Sequence, residues 1–249
     1  MVGYLKKFSH AAICYHTGIP HHEAIYGEHA PSYEWMHTVY GQPKEEIPSN
    51  APKPKGHPVC TTSFVDANLM HDFTTGCSVT GVLHLLNQTP LDWFSKRQGQ
   101  VETATYGSKF VAARTATEQI MDLRYTLCML GVPLDGPSWL FGDNQSVITS
   151  STIPHSQLAK HWNSLSYHRV CEAIAAGVIR FHFITSTDNP SDILTKPMDH
   201  TTAWTFVDAL LFWKGDTHSC HAMSCDLRGV SGGQIPENSL PGGQCGLGA

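Results

Sequence analysis

The 249-residue sequence predicts one α/β domain, preceded by a leader and followed by a tail. Three observations predict it. Between residues 60 and 98, three β-rich stretches follow one another with short turns between them. From 103 to 130 the apolar spacing lengthens to that of a helix. Beyond 138, short apolar strands alternate with helical stretches.

Taken in order, residues 1–40 form a His- and Tyr-rich leader. Its Val2, Tyr4, Leu5, Phe8, Ala11 and Ala12 have helical spacing, but so short a segment cannot build a core alone. PKEEIPSNAPKPKGHP (43–58) is dense in proline, which removes donors and fixes φ, so residues 41–59 read as an extended linker. TTSFVDANL (61–69), SVTGVLHLLN (78–87) and LDWFSKRQ (91–98) read as antiparallel strands. Phe110, Ala113, Ile120, Leu123, Leu127 and Leu130 form one helical stripe, stopped by Gly131 and Pro133. SWLFGDN (138–144) is a short strand ending in a turn. Residues 154–176 carry a second helical stretch ended by Gly177. VIRFHFIT (178–185) alternates as a half-buried strand. NPSDILTKP (189–197) reads as an Asn-capped, Pro-started turn, and a helix over 201–213 completes a domain spanning 60–215. Residues 216–249 are rich in Gly, Ser and Cys and read as a disordered tail.

Composition excludes some classes. Charged residues are 15% of the chain and the formal net charge is −5, so a strongly basic nucleic-acid binder is not indicated. Eight cysteines are scattered too widely for a disulfide scaffold, which points to a reducing compartment. No secretory leader and no membrane-length apolar run is present, so the expected location is intracellular, cytoplasmic by default. HSCHAMSC (218–225) holds two His and two Cys, but they are too crowded for a zinc finger.

The chemistry lies in Asp66, Asp143 and Asp192. Each stands near the end of a predicted strand or in the first turn of a predicted helix. Hard divalent cations take oxygen ligands, and a two-metal site needs several carboxylates that converge. Taken singly, an aspartate at such a place is more often a helix cap.

A resemblance decides between these readings. FVDANLMHD (64–72), TGCSVTG (75–81), DWFSKRQ (92–98), GDNQS (142–146), KHWNSLSYHRVCEAIAAG (160–177) and NPSDILTKP (189–197) resemble, in order, the ribonuclease H domain of copia-type retrotransposon Pol polyproteins. VGYLKKFSHAAI in the leader resembles the C-terminal end of the preceding reverse transcriptase. The resemblance implies a ribonuclease H-like fold, a mixed sheet of about five strands flanked by helices. It also implies hydrolysis of RNA in RNA–DNA hybrids by two Mg²⁺ ions on four carboxylates. Asp66, Asp143 and Asp192 match three of them.

The fourth, a glutamate in the first turn of the long helix, falls on Lys109. An ammonium repels divalent cations and can pair with Asp66 or Asp143 in their place; alternatively its flexible stem carries it to solvent. Glu102, seven residues upstream, and Glu118, nine downstream, do not replace the lost ligand. Cys77 and Cys171 stand where the family has arginine, a further departure. Lys96, Arg97, Lys160, His161, His168 and Arg169 are candidates for nucleic-acid contact, and His155, His161 and His168 for aiding product release. The expectation is an RNA–DNA hybrid endonuclease domain, once part of a larger polyprotein and impaired in this copy. The alternatives are a non-catalytic fold that binds nucleic acid and a transposon relic with no selected activity.

Overall fold

The computed structural model describes residues 11–13, 15–26, 33–41, 43–156, 158 and 163–213. Its centre is a five-stranded sheet. Strands β2 (Thr61–Asn68), β3 (Val79–Leu86) and β4 (Thr89–Arg97) form an antiparallel meander. Strand β5 (Ser138–Gly142) adds parallel to β2, and β6 (Ile179–Phe183) adds parallel to β5, giving the order β4-β3-β2-β5-β6. The central strand β2 is buried on both faces for seven of its eight residues, as a strand with neighbours on each side and cover above and below must be. An antiparallel meander extended by two parallel strands, with helices packed on the sheet, is the ribonuclease H-like topology expected from the sequence.

Helix α2 (Thr105–Met129) crosses one face of the sheet and buries Phe110, Ala113, Ala116, Ile120 and Leu127. Leu130, part of the sequence stripe, is 71% exposed, because it lies at the C-cap where the chain turns away through Gly131 at φ +73°. Arg124 is buried instead, with its guanidinium bidentate on Glu45 at 2.7 and 2.6 Å. The helical stretch expected over 154–176 is shorter, α4 (Ser164–Ala175). A separate α3 (Gln145–Thr152), not expected from sequence, starts where Asn144 accepts a hydrogen bond from Val147 N at 3.0 Å. Helix α5 (His200–Leu210) ends early, and Leu211–Trp213 becomes β7, paired antiparallel with β1 (Ala11–Ile13). Residues 11–13 are therefore strand where the leader's spacing suggested helix. Residues 1–10 and 216–249, with the HSCHAMSC stretch, lie outside the described residues.

The leader and linker wrap the sheet. The short helix α1 (His22–Tyr26) covers the face opposite α2, where His22 bonds Thr62 Oγ1 at 3.0 Å and Tyr26 packs on Trp139, Phe141 and His182. Arg180 joins the same patch, bonded to Glu23 at 3.0 Å and seated 5.0 Å from the Trp139 ring centre. Trp35 is buried in the core on the α2 side. The proline-rich stretch carries no helix or strand, turns once where Ala51 N donates to Pro48 O, and is fastened by Lys55 N to Gly131 O and Val59 N to Pro133 O.

Candidate active site

Three elements converge at the C-terminal ends of β2 and β5. Asp66 sits near the end of β2. Asp143 directly follows β5. Asp192 lies in a 3-10 turn (Pro190–Leu194) whose entry is fixed by Asn189, which accepts from Ser191 N and donates from Nδ2 to Val65 O at 3.0 Å. Asn189 thus ties the turn to the strand that carries Asp66. Gly81, the register partner of Asp66 on β3, makes the close approach possible. A Cβ there would lie 2.9 Å from Leu194 Cβ and from Ser191 O. Oxygens of Asp66, Asp143 and Asp192 all come within 4.8 Å of one another, a grouping capable of holding a metal ion.

Lys109 closes that grouping. It projects from the first turns of α2, donates from Nζ to Asp66 Oδ1 at 2.8 Å, and makes a second short contact to Asp143 Oδ1. Its side chain is 13% exposed, so it has not swung out to solvent. Burial raises the Asp66 pKa, but the Lys109 ammonium and hydrogen bonds from Lys109 and Thr195 outweigh it, and Asp66 stays below the usual carboxylate range. Burial also works against the Lys109 charge, yet the two carboxylates hold its pKa above the usual lysine value. Both partners are therefore ionised at neutral pH.

Asp192 differs. Burial pushes its pKa up to about 6 and the nearby Asp66 adds to the rise, against a 2.6 Å ion pair with Lys196. The cavity lined by Asp66, Lys109, Asp143 and Asn144 holds about 10 Å³, hardly space for one water. As they stand these residues do not fit two Mg²⁺ ions: three carboxylates converge where the resemblance implies four, and an ammonium occupies the space between two of them.

The remaining predicted residues are dispersed. Glu102 is buried and folds over Gly107, with Gln100 Nε2 on its Oε1 at 3.1 Å, and it does not join the carboxylate group. Glu118 faces away and pairs with Arg114. Lys96 is exposed on β4, and Arg97 pairs with Asp72 at 3.0 Å. His168 bonds the Tyr40 hydroxyl at 2.6 Å, and Arg169 pairs with Glu172. Lys160 and His161 lie outside the described residues. Cys77 is half-buried, while Cys171 is fully buried in the core. Sequence reasoning missed Lys196, Thr195 on Asp66 Oδ2, and Ser186, which donates to Asp143 Oδ2 at 2.8 Å. The first two stood inside the SDILTK motif, whereas Ser186 carries no sequence signal.

Fold and site together define a ribonuclease H-like domain whose acidic centre is bridged by a lysine. The chain is a relative of the Pol polyproteins of copia-type retrotransposons. It is 25% identical over 146 residues to the retrovirus-related Pol polyprotein from transposon RE2 of Arabidopsis thaliana, a match covering 58% of this chain and 10% of that one. It is 27% identical over 135 residues to that from transposon TNT 1-94 of Nicotiana tabacum, covering 53% and 10%. The chain thus spans about a tenth of the length of the curated relatives it matches. No family model matches it. Similar solved structures include RNase H1 from Halobacterium salinarum, with TM-score 0.43, 14% identity, and 54% and 93% of the two chains covered. Another is the foamy viral protease-reverse transcriptase in complex with RNA/DNA hybrid, with TM-score 0.38, 12% identity, and 66% and 23% covered.

Proposed function

We propose that this chain is a retrotransposon-derived ribonuclease H domain whose ancestral reaction is Mg²⁺-dependent hydrolysis of RNA in RNA–DNA hybrids, and that hydrolysis is impaired in this copy. The observation that carries the reading is Lys109, held between Asp66 and Asp143 where the resemblance puts a metal-binding glutamate. A tethered cation at that place competes with any free divalent ion and supplies no activated water. The test is cleavage of a labelled RNA–DNA hybrid in Mg²⁺ or Mn²⁺. The natural chain is expected to cleave at least about a hundredfold more slowly than Lys109→Glu, since the change restores a metal ligand. Cleavage at equal rates would overturn the assignment to Lys109.

One observation favours a second reading, hybrid binding without cleavage. Lys109 and Lys196 set two ammonium groups against three carboxylates, so the site carries little residual charge even without metal. A phosphate backbone then meets less repulsion than at a bare acidic cluster. Filter binding in EDTA across a salt titration tests it; absence of retention at low salt rejects it.

A further inference from the structure

Strand β4 is the outer strand of the sheet, and from Leu91 to Arg97 every residue but Phe94 is exposed. A register shift against β3 leaves Leu91 unpaired, after which Asp92 to Arg97 runs regularly. The direction of its outward backbone groups follows from two hydrogen bonds. Gln98 N donates inward to Ser78 O, so the alternate residues 96, 94 and 92 also face β3. Trp93 N, one of the outward groups, has the carboxylate of its neighbour Asp92 as its partner at 2.8 Å. Residues 93, 95 and 97 therefore present their N–H and C=O groups off the sheet.

The charges along this edge are symmetric about one residue. Asp92 stands two positions before Phe94 and exposed Lys96 two positions after it. We propose that two copies of this chain associate by laying β4 against β4 antiparallel, centred on Phe94. In that register Asp92 faces Lys96 of the second copy, twice over by the two-fold axis, and Trp93 faces the smaller Ser95. The pairs 93–95 exchange both backbone hydrogen bonds once the Asp92 carboxylate turns from Trp93 N to Lys96 of the second copy. The pairs 92–96 and 94–94 are the non-bonded kind, whose side chains approach more closely and whose charges interact best.

Other registers lose this match. A shift of one residue sets Asp92 against Ser95, or against an Arg97 already held by Asp72. A shift of two sets Trp93 against Trp93 and Asp92 against Phe94. Charges on an edge strand usually discourage pairing. Here opposite charges placed evenly about Phe94 discourage foreign strands and favour the chain's own copy. The interface uses no residue of the carboxylate group, so it stands or falls apart from the catalytic reading.

Sedimentation velocity of the full chain under reducing conditions, over a concentration series, tests the proposal. A reversible monomer–dimer equilibrium is expected. Asp92→Lys and Lys96→Asp should each weaken it by about tenfold, since each replaces two attractive cross-strand pairs with repulsive ones. Mixing the two variants, or combining them in one chain, should restore association because each lysine again faces an aspartate. Thermal melts of each variant confirm that it is folded. A natural chain that stays monomeric throughout overturns the proposal. So do dimers indifferent to both single changes, and so does a failure of the combined variant to recover.

Discussion

Lys109 shows how much one side chain decides. It lies with Asp66 and Asp143 in a site where all three side chains are at least 87% buried. Removing one member of such a group leaves the others charged and unpaired, which costs far more than the group itself contributes. Lys109→Ala is therefore expected to lose about 3–5 kcal/mol at neutral pH, read by denaturant unfolding. The loss should shrink as pH falls and the carboxylates protonate, and added Mg²⁺ should recover part of it. The natural chain should melt at the same temperature with Mg²⁺ or with EDTA; a clear rise with Mg²⁺ would contradict the tethered-cation reading. At Gly81 the constraint is space. Gly81→Ala forces its Cβ onto Leu194 and the Ser191 carbonyl, and a destabilisation of about 1–3 kcal/mol should appear in the same unfolding assay. The three aspartates were legible because each lies in a motif anchored to a strand end or capped turn. Ser186 was not, because a serine in a loop becomes a site residue only through its distance to Asp143.

At the scale of elements, strands were read best. Strands β2, β3 and β4 fall within one or two residues of expectation, because alternation and turn residues are local signals. Helix α3 was missed because QSVITSST is rich in β-branched and hydroxyl residues that disfavour helix; Asn144 as cap and burial of Val147 and Ile148 override that preference. The packing of α1 was invisible for another reason: its partners Trp139, Phe141 and His182 are more than a hundred residues away. This helix carries a pH dependence. Burial, then the charge of His182, lowers the His22 pKa from 6.5 to about 4. Below its ordinary value the unfolded chain takes up a proton that the folded chain refuses, so stability is lost as pH falls from 6.5 toward 4. The amount is about 3 kcal/mol at full effect. Thermal melts between pH 7 and 4 should show it, and His22→Gln should flatten the slope. Buried His84, lowered for the same reason, leaves a remainder.

For the molecule as a whole, leader and linker are part of the fold. Trp35 belongs to the core beneath α2, Glu45 holds Arg124, and α1 covers the opposite face. A chain beginning at residue 42 is expected to expose that second face and the Trp35 cavity, costing about 3–5 kcal/mol for Trp35 alone. Its unfolding transition should broaden and move to lower denaturant; an unchanged midpoint would assign the leader no structural part. No described helix is long and apolar enough to cross a membrane. The pairing of β1 with β7 adds a mechanical consequence. Ala11 lies opposite Trp213, so the chain enters β1 and leaves β7 at neighbouring points. Tension between them would act on this two-strand clasp one residue pair at a time, like a zipper, before any load reached the sheet that carries the acidic site.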